Sequence, residues 1–209
     1  MKKHFIELAI PTRAGRFIAR YSGKGLAEMD FPLRSAAVSV RDFQSGGKMP
    51  PQPAGVNARA TTEQARAVKT NAVPAKIRDW HRATETALKK ILAGSAPKTF
   101  PPLDLAGTKF QKRVWNALRK ITPGKTKSYG EIARQIGKAR AIRAVGGACG
   151  ANPIPVLVPC HRVLAANKKL GGFSGGLNWK RALLAREGVS FRQNAALDGK
   201  SDSERSSAD

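Results

Sequence analysis

The sequence predicts an α/β arrangement followed by a mostly helical part. Three observations lead there: short apolar stretches broken by turn residues near the start, helical spacing of apolar residues from Ile77 onward, and capping-box patterns at Thr108 and Ser128. The first stretches are residues 5–10, 16–21 and 26–31, separated by turn-rich residues 11–15 and 23–25. Each is long enough for a strand and too short for a stable helix, so they read as an antiparallel hairpin or meander. From about 34 to 73 the chain turns rich in Gly, Pro, Ala, Gln and Ser, including the run from Gly46 to Pro51. Few large apolar residues remain to offset the entropy of ordering, and this stretch reads as a mobile insertion.

Ile77, Trp80, Leu88, Ile91 and Leu92 then share one helical face, with Gly94 as a stop, and are expected in the core. A second helix opens at Thr108, where Gln111 completes a capping box, carries Phe110, Val114, Leu118 and Ile121 on one face, and ends at Pro123 and Gly124. Ser128 and Glu131 repeat the box and open a short helix through Ile132 and Ile136 that Gly137 closes. A further helix follows over 141–148. Two helices joined by a tight turn form a helix-turn-helix pattern, which is weak evidence alone. The second helix is thin, with Ala141, Ala144, Gly146, Gly147 and Ala148, and Arg140 and Arg143 stand out from it. Small residues of this kind suit a close approach to a duplex, or equally close packing inside a core.

Residues 152–163 hold Pro153, Pro155 and Pro159, which forbid a helix, and read as an extended apolar stretch ending in Pro159, Cys160, His161 and Arg162. A glycine-rich loop at 171–176 precedes a last helix from about Asn178 to Glu187, stopped by Gly188. The organisation expected is therefore an amino-terminal domain over 1–102, a second domain over 103–192 and a disordered polar tail over 193–209.

Composition narrows the partners. Thirty-eight Lys and Arg against 14 Asp and Glu give a net charge of +24, which favours a polyanion such as nucleic acid. Residues 109–143 alone hold eleven cationic residues and one acid, Glu131. Two cysteines without a secretory pattern argue against a disulfide framework and for a reducing, cytoplasmic setting. The first ten residues are too short and polar for a leader or span, and no segment approaches membrane length, so no membrane partner is expected.

A free cysteine is more often a buried small hydrophobe than a nucleophile. Here Cys160 adjoins His161, Arg162 and a glycine-rich loop able to wrap a flat ligand. A thiol of pKa about 8.5 is mostly protonated at neutral pH, so a nucleophilic cysteine needs a base and an electropositive surround, and His161 and nearby arginines are expected to supply them.

The run from Val158 to Val163, around Cys160 and His161, resembles the active-site signature of the 6-O-alkylguanine-DNA alkyltransferases, or methylated-DNA:protein-cysteine methyltransferases. Ser128 and Tyr129, residues 143–148 with Asn152 and Pro153, residues 174–177, and Glu187 with Gly188 resemble the family's other motifs in their usual order. The likeness is close over about 100–190 and loose before that. It implies an amino-terminal ribonuclease-H-like α/β domain and a helical, winged-helix or helix-turn-helix-like second domain. It also implies a monomer that binds double-stranded DNA containing alkylated guanine, associated with the nucleoid when on DNA, and uses no cofactor.

The same resemblance implies a reaction: the nucleotide is rotated out through the minor groove, and the alkyl group passes irreversibly from the 6-oxygen of guanine, with the 4-oxygen of thymine as a second candidate donor, to Cys160. By carry-over, Glu187 orients His161, which activates Cys160 through a water. Tyr129 crowds the phosphate and assists the leaving base, and Arg143 fills the gap in the duplex, with Ala141, Ala144 and Gly146 lining the groove-facing helix. Val163, Phe173, Ser174, Asn152 and Lys180 fall in the pocket, Asn152 with a structural role. Two departures stand out. The first 148 residues contain no Cys and only His4 and His81, so the zinc of some relatives is not expected, and Phe173 stands where many carry Tyr. A Cys-His hydrolase, which would turn over, and a non-catalytic lesion sensor, which would lack thiol chemistry, are the alternatives.

Overall fold

Strand periodicity in the first 30 residues builds a three-stranded antiparallel sheet in the order β1 (Ile6–Thr12), β2 (Gly15–Ser22), β3 (Gly25–Asp30). The computed structural model describes residues 4–32 and 73–192. Alternation along β2 sends Phe17, Ala19 and Tyr21 into the core and Arg20 to the opposite face, where it bridges Glu7, Glu28 and Asp30 at 3.2, 3.3 and 2.7 Å. The meander expected from the sequence is the observed one. Of the expected insertion at 34–73 only Val73 lies within the described residues, and it is buried in the core; the tail at 193–209 lies outside them.

Helix α1 (Ala75–Leu92) packs Ile77, Ala87, Leu88, Ile91 and Leu92 inward and stops before Gly94, whose φ of +77° suits glycine. The chain then returns to the sheet. Leu26 N–H donates to Pro102 O and Asp104 N–H to Leu26 O, both at 2.8 Å, so β3 is flanked by the segment entering the second half. Gly25 is required at this crossing, because a Cβ would lie 2.4 Å from Pro102 O.

Both predicted capping boxes form. Thr108 caps α2 (Lys109–Leu118) with Gln111, and Ser128 caps α3 (Tyr129–Gln135) with Glu131. Helix α4 (Ile142–Gly150) follows the short turn through Gly137 and completes the helix-turn-helix pair. The last turn of α4 leaves carbonyls without helical donors, and one of these, Ala148 O, accepts the buried Trp115 indole N–H of α2 at 2.8 Å. A two-stranded parallel ladder of β4 (Lys127–Ser128) and β5 (Val163–Leu164) joins the start of α3 to the segment after Cys160, and α5 (Leu177–Arg186) closes the fold. One core runs from Phe17 and Tyr21 of the sheet through Val114, Trp115 and Ile132 to Val158, Cys160 and Trp179. The result is a mixed α/β fold, and none of its described helices is long and apolar enough to cross a membrane.

One local expectation fails. Residues 152–163 are not extended: the segment folds into turns, with Val158 N–H on Ile154 O at 2.9 Å and Val156 at φ 74°, and ends in a single 3-10 turn, Cys160–Arg162. The prolines exclude a helix, but they suit consecutive tight turns as well as a strand, and the side chain of Asn152, bonded to Ile154 N–H and Val158 O, holds the turns.

Trp115→Phe keeps an aromatic ring but removes the indole N–H, strands Ala148 O in the interior and leaves a cavity where the larger ring stood. A loss of about 1–3 kcal/mol is expected, read as a lower urea midpoint at unchanged slope.

Candidate active site

The turns before Cys160 exist because Asn152 holds them. Its side-chain Oδ1 accepts Ile154 N–H at 3.1 Å, while Nδ2 donates to Val158 O at 2.8 Å and to Cys160 Sγ at 3.1 Å. The residue therefore holds the turn and donates a hydrogen bond to the thiol. Cys160 is 4% exposed, and burial pushes its thiol up, opposed by the Asn152 hydrogen bond and by the charge of Lys180.

Electropositive support does not come from arginine, as the sequence suggested. Arg162 turns away from the thiol: its Nε and Nη2 donate to Glu187 at 2.8–3.1 Å and its Nη1 to Ile121 O at 2.6 Å. A buried guanidinium needs a carboxylate and a carbonyl more than it can serve a neutral thiol, and both lie on its far side. The cation near Cys160 is Lys180, fully buried on α5, whose ammonium donates to Val163 O at 2.6 Å, to Leu170 O and to Gly172 O at 3.3 Å. Burial, against the neighbouring Cys160 and Cys149 thiols, brings Lys180 down to about 8. One side chain thus pins the start of the glycine-rich loop to the residue three positions after Cys160.

His161 is fully buried, with Nε2 3.2 Å from Glu187 Oε1. Burial alone would raise the Glu187 carboxyl, but the bonds from His161 and Arg162 outweigh it and hold it at about 2. Burial lowers His161. An ionised carboxylate only accepts, so the neutral imidazole carries its hydrogen on Nε2 and presents a lone pair at Nδ1. Nδ1 is buried and has no protein partner among the described residues.

Tyr129, at the start of α3, reaches the same region. A Cβ on Gly171 would sit 3.1 Å from its hydroxyl, and Gly171 has φ +64°. Burial pushes Tyr129 up to about 12, so its hydroxyl stays a donor at neutral pH. Phe173 stands edge-on to His161 with centroids 6.5 Å apart, Val163 is buried, and Ser174 is half-buried in the loop. Arg143 and Ala144 lie exposed on α4, with Ala141 and Gly146 half-buried, and no atom lies within 4 Å of a Cβ built on Gly146 or Gly147. At Gly146 and Gly147 the helix therefore meets open space among the described residues, whereas Ala148 is buried against the core.

Sequence reading missed three features. Cys149, on the last turn of α4, lies within electrostatic reach of Cys160 and Lys180, and burial pushes its thiol up to about 12. Phe31, after β3, packs on Phe173 with centroids 5.7 Å apart. An open cleft of about 670 Å3 beside Tyr129 is lined by Lys127, Ser128, Ile142, Asn167 and Lys168. The three-residue interval between Cys149 and Asn152 is the one local hint; the others depend on distant parts of the chain.

Residues 109–189 match the family model described as the DNA binding domain of 6-O-methylguanine DNA methyltransferase. The chain is 56% identical over 100 residues to the methylated-DNA--protein-cysteine methyltransferase of Mycobacterium tuberculosis, covering 48% of this chain and 61% of that one. It is 47% identical over 110 residues to the protein of that name from Methanosarcina acetivorans, covering 53% and 70%. The crystal structure of the Mycobacterium tuberculosis OGT in complex with DNA is similar at 36% identity and a TM-score of 0.56, covering 86% of this chain and 90% of that one. The chain thus matches somewhat under two thirds of the mycobacterial relative's sequence.

Glu187 makes a stability prediction with a definite sign. Its folded pKa of about 2 lies below the unassociated value of 4.5, so its contribution is complete above 4.5 and is lost as pH falls toward 2. Urea unfolding from pH 6 down to about 2 is expected to show this decline in the wild type and a flatter profile in Glu187→Gln, which is less stable at pH 6 and converges on the wild type as the pH approaches 2.

Proposed function

Because the chain belongs to the 6-O-methylguanine-DNA methyltransferase family, we propose that it is a DNA repair protein that moves an alkyl group from the 6-oxygen of guanine in double-stranded DNA onto Cys160. The observation that carries this reading is a buried thiol bonded by Asn152 beside a neutral histidine that an ionised carboxylate orients. In this mechanism the Cys160 proton passes to His161 Nδ1, through the bridging water that the family likeness implies. Sulfur attacks the alkyl carbon in line, the carbon–oxygen bond breaks with its electron pair going to the guanine oxygen, and Tyr129 supplies a hydrogen bond or a proton at the ring nitrogen of the leaving base; a proton given up there is regained from solvent, to which His161 releases the thiol proton. The Ser174 amide supports the departing oxygen. Asn152 and Lys180 steady the thiolate, one by a hydrogen bond and the other by charge. The product thioether is a poor leaving group, so each molecule acts once.

DNA binding follows from the same proposal. Eleven cations between 109 and 143 neutralise phosphates, while the small face of α4 enters the minor groove and Arg143 replaces the extruded nucleotide. Tyr129 crowds the phosphate of that nucleotide, and Val163 and Phe173 contact the base. The architecture of the proposal is a ribonuclease-H-like domain over 1–102 and a helix-turn-helix-like domain over 103–192, acting as a monomer in the cytoplasm on nucleoid DNA.

The first test is intact mass after incubation with methylated duplex DNA. One methyl group is expected per molecule, located on Cys160 and missing in Cys160→Ala. Repeated turnover would favour a hydrolase, and methylation on Cys149 would overturn the assignment of the nucleophile.

Extrusion and chemistry are separable by single-turnover rates. Unstacking costs a few kcal/mol, so Arg143→Ala is expected to slow repair of a duplex lesion on the order of tenfold to a thousandfold, with little effect on the free modified base. His161→Ala is expected to slow both alike. Equal slowing by Arg143→Ala would remove the flipping role.

A further inference from the structure

We propose that Phe31, at the end of the amino-terminal sheet, is a positioning residue for the substrate base: it fixes the ring of Phe173 at the pocket and so sets the affinity for the modified guanine. This rests on the reading that loop 171–176 covers that base.

The loop cannot hold its own aromatic ring. Phe173 is flanked by Gly171, Gly172, Gly175 and Gly176, which impose little on the backbone. Lys180 fixes the carbonyls of Leu170 and Gly172, upstream of the ring, and leaves the phenyl side chain unrestrained. The restraint on the ring comes from Phe31, edge-on at 73° with centroids 5.7 Å apart. Phe31 is itself seated on Trp179 of α5 at 4.7 Å and Phe17 of β2 at 5.7 Å, and Phe17 meets Trp179 at 5.5 Å. The backbone beneath is fastened too, by Met29 N–H on Pro153 O at 2.8 Å.

Gly175 records how tightly the two rings meet. A Cβ there would lie 2.5 and 2.7 Å from Cε2 and Cζ of Phe31 and 2.8 Å from Cε1 of Phe173. The loop backbone passes through the corner between the rings, and neither can swing without moving it. On its other side Phe173 stands at 88° to the His161 ring. A line of aromatic contacts thus runs from the sheet core to the pocket. Since the ring contacts of Phe31 among the described residues are to Phe17, Phe173 and Trp179, its effect falls on binding of a flat base rather than on the transfer step.

The test uses free 6-O-benzylguanine as probe, following loss of reactive Cys160 thiol against probe concentration. This yields a half-saturating concentration and a limiting rate. Phe31→Leu keeps apolar bulk and removes the ring; losing one edge-to-face pair is expected to raise the half-saturating concentration about twofold to tenfold, with the limiting rate unchanged. Phe31→Tyr, which keeps the ring, is expected to restore the wild-type value. Should Phe31→Leu fail to fold, Gly175→Ala, which drives a methyl between the rings while keeping both, is expected to shift the half-saturating concentration in the same direction. An unchanged half-saturating concentration, a fall confined to the limiting rate, or a Tyr variant as weak as Leu would overturn the proposal. A wild type whose Cys160 does not react at all would instead bring down the alkyl-transfer reading on which it rests.

Discussion

The site depends on one buried carboxylate. The Glu187 side chain is 1% exposed, and its ionised form survives there because His161 and Arg162 donate to it, with Gly124 N–H at 3.3 Å from its other oxygen. These donors come from separate places: the 3-10 turn after the nucleophile, and the loop after α2. Arg162 extends the tie to Ile121 O. Removing one member of such a buried set leaves a charge without compensation, at about 3–5 kcal/mol. The same constraint fixes the chemistry, since a carboxylate held ionised decides which nitrogen of His161 carries the hydrogen, and hence which one faces away with a lone pair.

Lys180 plays the complementary part. A buried ammonium must spend its three hydrogens, and it spends them on the carbonyls of Val163, Leu170 and Gly172. That arrangement closes the loop over 164–172 without secondary structure of any length, and it leaves a positive charge near the thiol. Burial raises the Cys160 thiol while Lys180 and Asn152 oppose the rise.

The two halves of the chain share one apolar core, so the site is not the property of the second half alone. Backbone bonds at Pro102 and Pro153 align β3 against both segments, and the aromatic contacts of Phe17, Phe31 and Trp179 fill the seam. Arg143 and Ala144 of α4 lie exposed, away from this seam.

The sequence by itself determined what local rules control. Strand lengths and turns of the meander, the stop at Gly94 and both capping boxes follow from neighbours within a few residues, as does the pairing of a cysteine and a histidine at adjacent positions. Tertiary structure decided everything that needed a distant partner. Prolines excluded a helix before Cys160 but left strand and turns equally open, until the Asn152 side chain, bonded to Ile154 N–H and Val158 O, held the turns. Arginine near the thiol looked like its electrostatic support, yet Arg162 is claimed by Glu187, twenty-five residues on, and a lysine from α5 takes its place. What the small residues on α4 pack against depended on what lies opposite them: Ala148 meets the core, while no described residue lies within 4 Å of a side chain built on Gly146 or Gly147. Spacing along a chain sets which face a residue occupies, whereas the charge and shape that face meets are supplied by segments the spacing does not contain.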